Sequence, residues 1–112
     1  MKQKFLIKQF KSKAIKITIR NGNEEIARCY IYLISNDLHD KPYALLEDVF
    51  VKEEYRNIGI GSKLVKKAID VAKKLNCYKI LATSRFEREY VHKFYEKLGF
   101  KKWGFEFRID LK

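Results

Sequence analysis

The sequence predicts an α/β (α+β) domain: a mixed, mostly antiparallel sheet with a central parallel strand pair and two principal helices, in one unit spanning residues 1–112. Three observations predict it. Ile15, Ile17 and Ile19 alternate with Lys16, Thr18 and Arg20, the period of a half-buried strand. Residues 43–76 run from an apolar extended segment through a basic, glycine-punctuated turn into an amphipathic helix. An apolar run over 77–83 follows, and strand, helix and strand within about 40 residues imply a crossover between parallel neighbours.

The elements follow in order. Phe5–Phe10 reads as a short first strand, and Ile15–Arg20 as a second after Lys11-Ser12-Lys13. Asn21-Gly22 supplies residues that tolerate positive φ, as a tight hairpin requires, so Glu25–Ile34 is the return strand. After the polar loop Ser35–Pro42, Tyr43–Val51 carries few charges, as expected of a central strand covered on both faces. Leu64, Val65, Ala68, Ile69, Ala72 and Leu75 recur at helical spacing, with lysines and Asp70 filling the other face. Ser84 and Glu87 have capping-box spacing ahead of a helix lined by Val91, Phe94, Tyr95 and Leu98. Gly99 supplies its left-handed stop and Phe100 an apolar residue that folds back. Trp103, Phe105, Phe107, Ile109 and Leu111 then alternate with Gly104, Glu106, Arg108 and Asp110, the strongest strand pattern in the chain.

Composition excludes several classes of function. With 112 residues, 46% of them hydrophobic, and 14% aromatic, the chain can bury a core and is not disordered. No apolar run approaches the ~20 residues of a bilayer span, and Lys2 and Lys4 lead into a charge-broken segment rather than a signal peptide, so a cytoplasmic protein is expected. Cys29 and Cys77 lack metal-ligand spacing and read as buried free thiols; no metal site is expected. The net charge of +11 favours an anionic partner through long-range attraction. The basic residues are dispersed and no nucleic-acid recognition motif is present, so RNA binding stands as the weaker reading.

The chemistry concentrates in Arg56-Asn57-Ile58-Gly59-Ile60-Gly61-Ser62. Small residues between a strand and a helix let backbone N–H groups converge on an anion at the helix N-terminus, where the macrodipole adds about 0.3–1 kcal/mol. Glycine at Gly59 and Gly61 keeps a Cβ from holding a phosphate off the backbone. On its own, this turn is a weak signal, and a tight connection is its simpler reading.

Arg56-x-x-Gly59-x-Gly61 after Glu47-Asp48-Val49-Phe50-Val51, joined downstream by Phe94-Tyr95-Glu96-Lys97-Leu98-Gly99-Phe100, resembles the GNAT superfamily of acetyl-coenzyme A dependent N-acetyltransferases from about Ala44 to Leu111. The resemblance implies that the amides of Ile58, Gly59, Ile60, Gly61 and Ser62, with Arg56 and Asn57, hold the coenzyme diphosphate. It also implies that parallel strands part beside Val49, Phe50 and Val51, leaving backbone groups for the pantetheine arm, and that one of these amides stabilises the reaction's oxyanion. The acetyl group would pass directly to a primary amine, a protein lysine or N-terminus among the candidates, without an acyl-enzyme. A lysine-like amine costs about 4.6 kcal/mol to deprotonate at pH 7, and an α-amine about 1, so a base matters more for side-chain acceptors.

Glu47, near the end of the central strand, is the candidate base, with strand parity placing Asp48 on the opposite face; pairing with a lysine is its alternative role. Tyr95 is the candidate acid toward the departing thiolate, or a hydrogen-bond donor to it, since a phenol near 10 gives its proton uphill to a thiolate near 8.5. His39 and His92 read as solvated, Arg85 and Arg88 as solvated or facing the coenzyme 3′-phosphate, and Trp103 as core or as an edge of the acceptor groove.

The chain also departs from the family pattern. The two helices such proteins place between their first two strands have no room here, which leaves the acceptor side open. Arg88 stands where an asparagine often contacts the cofactor, and Thr83 where acetylases of protein N-termini carry a glutamate. The alternative of another class is a coenzyme A binding module without catalysis. Missing walls and exposed sheet edges favour a homodimer.

Overall fold

The computed structural model describes residues 1–112. Strands β1 (Lys13–Asn21) and β2 (Glu24–Ile34) form an antiparallel hairpin around Gly22, whose φ of +62° is the left-handed value a glycine adopts without strain. Strand β3 (Tyr43–Val51) pairs antiparallel with β2. Helix α1 (Ile60–Lys74) returns the chain to the short strand β4 (Ile80–Ala82), parallel to β3, so the sheet order is β1-β2-β3-β4. Helix α2 (Glu89–Lys97) follows.

Helix α1 covers one face of this sheet. Its Leu64, Val65 and Ala68 lock against Cys29, Ile31 and Leu46, all essentially removed from water, with Ile15, Ile17 and Ile19 at the margin. Each large side chain buried in this way contributes about 1.5–3 kcal/mol. The helix stops where Asn76 turns left-handed (φ +62°) and the Cys77 amide donates back to the Ala72 carbonyl. Helix α2 ends as its sequence predicts: Gly99 has φ +102°, the Phe100 amide donates to the Tyr95 carbonyl, and the Phe100 ring packs edge-on to Tyr95 at 5.2 Å.

Several expectations need correction. Phe5–Phe10 forms no strand; no neighbour receives its backbone, and Phe5, Leu6 and Ile7 are at least 90% exposed. The tight hairpin instead joins the first two strands that do form. The run 77–83 pairs only over Ile80–Ala82, and Trp103–Leu111, despite its alternation, pairs with nothing. Cys29 is buried and free, Cys77 free and only half-buried. The capping box is not made: α2 begins at Glu89 with Arg88 as an uncapped N-cap residue, while the Ser84 hydroxyl turns to the Arg85 carbonyl. Finally, β3 is flanked by β2 along its length and by β4 only over Ala44–Leu46, and it is covered on one face. Ala44 and Leu46 are buried under α1, whereas Tyr43, Leu45 and Glu47 on the other face are only half-buried.

Candidate active site

The site begins where a ladder stops. Strand β3 pairs with β4 only through Ala44, Leu45 and Leu46, and beyond the Leu46–Ala82 pair no strand is hydrogen-bonded to the β4 side of Glu47–Val51. On its other edge β3 stays paired with β2 as far as Val51. The second half of β3 therefore presents backbone polar groups along one open edge, where backbone N–H and C=O groups require partners.

A bulge interrupts this half. Tyr30 faces Glu47 but Arg28 faces Phe50, so β3 carries one residue more than β2, and Asp48 takes a positive φ of 53°. Asp is among the few side chains that tolerate this conformation. Simple parity between Glu47 and Asp48 consequently fails: Ala44 and Leu46 face the core in the first half, Val49 and Val51 in the second. Arg28 holds the bulge, donating from its guanidinium to the Asp48 carbonyl and lying over the Phe50 ring at 5.0 Å. Sequence reasoning missed Arg28; the signal was a lone cation inside the apolar run Ile26–Ile31.

The loop leaving β3 is anchored at both ends. Lys52 bonds Glu24 at 2.8 Å and keeps that carboxyl below its ordinary range, and Tyr55 donates to the same carboxylate at 3.2 Å. Arg56 Nε donates to the Val51 carbonyl at 2.7 Å, with the guanidinium also over the Phe50 ring at 5.4 Å. Part of Arg56 is thus committed to loop structure. Asn57 (φ +64°) and Gly59 (φ +90°) then turn the chain left-handed into α1.

In this turn the backbone N–H groups of Ile58, Gly59, Ile60, Gly61 and Ser62 make no hydrogen bond; the first bonded amide is that of Lys63, to the Gly59 carbonyl at 3.1 Å. Successive free donors at a helix start, shaped by residues of alternating hand, suit a diphosphate. The two glycines serve this differently from the sequence expectation. Gly59 is required by its φ, since a Cβ there would meet nothing within 4 Å. A Cβ on Gly61 would point inward, 3.6 Å from the Phe94 ring and 3.8 Å from Val51, so that glycine sets the packing of α2 against the loop.

Helix α2 brings Phe94, Tyr95 and Leu98 against the core cluster that contains Cys29 and Leu46. Tyr95 packs between Phe94 (5.4 Å) and Phe100, and its hydroxyl bonds to no protein group. Burial raises its pKa, reinforced by Cys29 and Glu47 and opposed by Arg88. Burial, with Asp48 and Glu106, likewise raises the Glu47 carboxyl. The Glu47 charge therefore reaches the Tyr95 hydroxyl beside the unpaired half of β3, next to the amide turn. Burial pushes the Cys29 thiol up to about 11, which keeps it protonated and inert.

Other candidates are engaged with different partners. His92 is engaged with the Arg85 carbonyl at 2.7 Å, His39 lies 4.9 Å from the Tyr78 ring, and Arg88 donates to the Tyr90 hydroxyl at 2.7 Å. Trp103 is 89% exposed and so lies outside the core. A hollow lined by Lys11, Lys13, Leu33, Pro42 and Leu75 sits at the opposite end of β3 and carries no carboxylate, histidine or cysteine.

Comparison with known proteins accords with this geometry. A sequence profile described as the Acetyltransferase (GNAT) family matches residues 4–100. Glucosamine 6-phosphate N-acetyltransferase of Trypanosoma brucei brucei is 36% identical over 66 residues, 59% of this chain and 43% of that protein. Thialysine N-epsilon-acetyltransferase of Bos taurus is 56% identical over 32 residues, 29% of this chain and 19% of that protein. The matches thus span less than half the length of these relatives. The crystal structure of a transcriptional regulator from Bacillus halodurans C-125 superimposes with a TM-score of 0.81 at 29% identity, covering 88% of this chain and 66% of the other. With a family profile matched across most of its length and a sheet that opens beside an amide-lined turn, the chain belongs to the GNAT acetyltransferase family.

Proposed function

We propose that this chain is an acyltransferase that moves an acetyl group from acetyl-coenzyme A directly to a primary amine, a protein lysine or N-terminus being the acceptor class. One observation carries the reading: five consecutive unpartnered amides, Ile58–Ser62, adjoin the unpaired half of β3. The amides and the outer nitrogens of Arg56 suit the coenzyme diphosphate, with Asn57 shaping the turn, and the free edge at Val49, Phe50 and Val51 suits a strand-like amide arm. When bound, the coenzyme supplies an acetyl carbonyl already activated as a thioester.

The chain's own groups supply the rest. Glu47 accepts the proton an attacking ammonium must lose, directly or through water, and its raised pKa makes it a better base than an ordinary carboxylate. A free amide at Val49–Val51 faces developing negative charge, a contact worth roughly 2.7–4 kcal/mol. Tyr95 holds its proton toward the departing sulfur. Because burial raises the phenol further above a thiol, the hydroxyl acts by hydrogen bonding rather than by complete transfer. Cys29, buried and protonated, offers no nucleophile for an acyl-enzyme.

The relatives' names fit an amine acceptor without singling one out, since glucosamine 6-phosphate and a lysine analogue both offer one. The uncovered sheet face beside Glu47 leaves room for a chain-borne amine. Calorimetry with acetyl-coenzyme A, followed by mass spectrometry of an amine and peptide panel, tests the proposal. Binding with acetyl transfer to a lysine or N-terminal peptide is expected. Binding with no transfer to any amine would instead make the chain a coenzyme-binding module.

A further inference from the structure

Arg28 is out of place in its strand. It stands between Ala27 and Cys29, both buried, and its charge is paired with no carboxylate. The guanidinium makes one hydrogen bond, to the Asp48 carbonyl at the left-handed residue of the β3 bulge. It also lies over the Phe50 ring at 5.0 Å, and Arg56, which bonds the Val51 carbonyl, lies over the same ring at 5.4 Å. One aromatic side chain thus ties the bulge to the residue that opens the amide-lined turn.

The bond matters because of what shares its peptide plane. The Asp48 carbonyl and the Val49 N–H belong to one planar trans unit and point in opposite directions. A guanidinium that fixes the carbonyl therefore fixes the amide, aimed away from the Arg28 head group. A cation on the carbonyl also polarises the unit and makes that N–H a stronger donor. The ladder cannot do this work: Arg28 faces Phe50 and Tyr30 faces Glu47, so the register gives Asp48 and Val49 no partner on β2. Pairing resumes only past the bulge, where the Lys52 amide donates to the Ile26 carbonyl at 2.8 Å. The plane between Asp48 and Val49 is set by a side chain instead.

We infer that Arg28 is a positioning residue for acetyl transfer: it holds the 48–49 peptide plane so that the Val49 N–H faces the oxygen that becomes negatively charged. The inference rests on the catalytic reading above. In that reaction the amine nitrogen bonds to the acetyl carbon and the carbonyl electron pair moves onto oxygen. The proton of the amine passes to Glu47, and the returning electron pair expels the thiolate. Arg28 touches none of these atoms and acts only through the direction and strength of one amide. Phe50, lying against both guanidiniums, makes that amide and the diphosphate turn a single unit.

Arg28→Met keeps an unbranched stem and removes every donor. It is expected to lower kcat at least about tenfold, while coenzyme A affinity by calorimetry stays within about twofold, because the turn amides are untouched. Arg28→Lys, which restores a cation and a donor without the planar fork, should recover most of the loss. Lys16→Met removes another cation from the same face, one that lies over Tyr30, and should leave kcat unchanged. In the amide spectrum Arg28→Met should move Val49 and spare Gly59 and Gly61; Arg28→Gln, with the same expected loss, serves if Arg28→Met does not fold. Unchanged kcat, or an equal loss in Lys16→Met, would overturn the inference and leave the catalytic reading in place. So would coenzyme affinity that falls in step with kcat, the mark of a purely structural role. An unmodified chain that binds coenzyme A and acetylates no amine would remove the catalytic reading itself, and this inference with it.

Discussion

Tyr43–Leu46 and Glu47–Val51 are consecutive halves of one strand, and the fold treats them in opposite ways. The first half is paired on both edges and sinks Ala44 and Leu46 into the core. The second is paired on one edge, bulged at Asp48, and lined by half-buried or exposed side chains. Hydrogen bonds satisfied within the sheet cannot also hold a ligand. The first half therefore stabilises, and the second is available for binding and chemistry because it is left incomplete.

The largest way to test that division is in stability. Leu46→Ala should lower unfolding free energy by about 2–5 kcal/mol, whereas Phe50→Ala, at an exposed position in the other half, should cost less than about 1 kcal/mol. Denaturant midpoints at constant m-value measure both. Equal losses would mean that the open half is as structural as the paired one.

Activity should invert the order. Tyr95→Phe is expected to lower turnover roughly ten- to hundredfold with coenzyme affinity nearly unchanged, since the hydroxyl bonds to nothing in the folded chain. Steady-state kinetics alongside calorimetry separate the two effects, and unchanged turnover would remove Tyr95 from the mechanism. A smaller contrast lies in the turn. Gly59→Ala forces a Cβ into a left-handed conformation at about 1–2 kcal/mol and should weaken coenzyme binding roughly tenfold. Gly61→Ala meets only ordinary contacts with Phe94 and Val51, and should leave stability unchanged or raise it by up to about 1 kcal/mol.

The smallest effect is one of pH. A base at Glu47 would act only when ionised, and because burial raises its pKa the acid limb of the rate profile should lie above the position of an unperturbed glutamate. Below that limb the carboxyl is protonated and the rate falls; above it the rate is full. Glu47→Gln should lower the plateau and remove the limb. A limb that persists in the variant belongs to another group.

Much of this was legible in the sequence because local signals and tertiary context agreed. Asn21-Gly22 turned the hairpin, the apolar stripe Leu64–Ala72 built α1, and Gly99 stopped α2. Pattern proved insufficient wherever an element needs a partner that the pattern does not name. Trp103–Leu111 alternates as cleanly as β1 does, but only β1 has a neighbour to receive its hydrogen bonds. The bulge was hidden for a related reason: parity assumes a regular ladder, and the one hint of irregularity was an aspartate where φ turns positive. The free amides of the turn were anticipated from Gly59, Gly61 and the helix that follows. Their state depends on which carbonyls come within reach, which only the folded chain determines.

The most direct test of the central claim is the backbone amide spectrum of the full chain titrated with coenzyme A. The Ile58–Ser62 signals should move downfield together as their N–H groups acquire phosphate acceptors, accompanied by Val49 and Val51, while Ile31 and Ala68 in the core stay fixed. Coenzyme binding detected by calorimetry with those five amides unmoved would contradict the account.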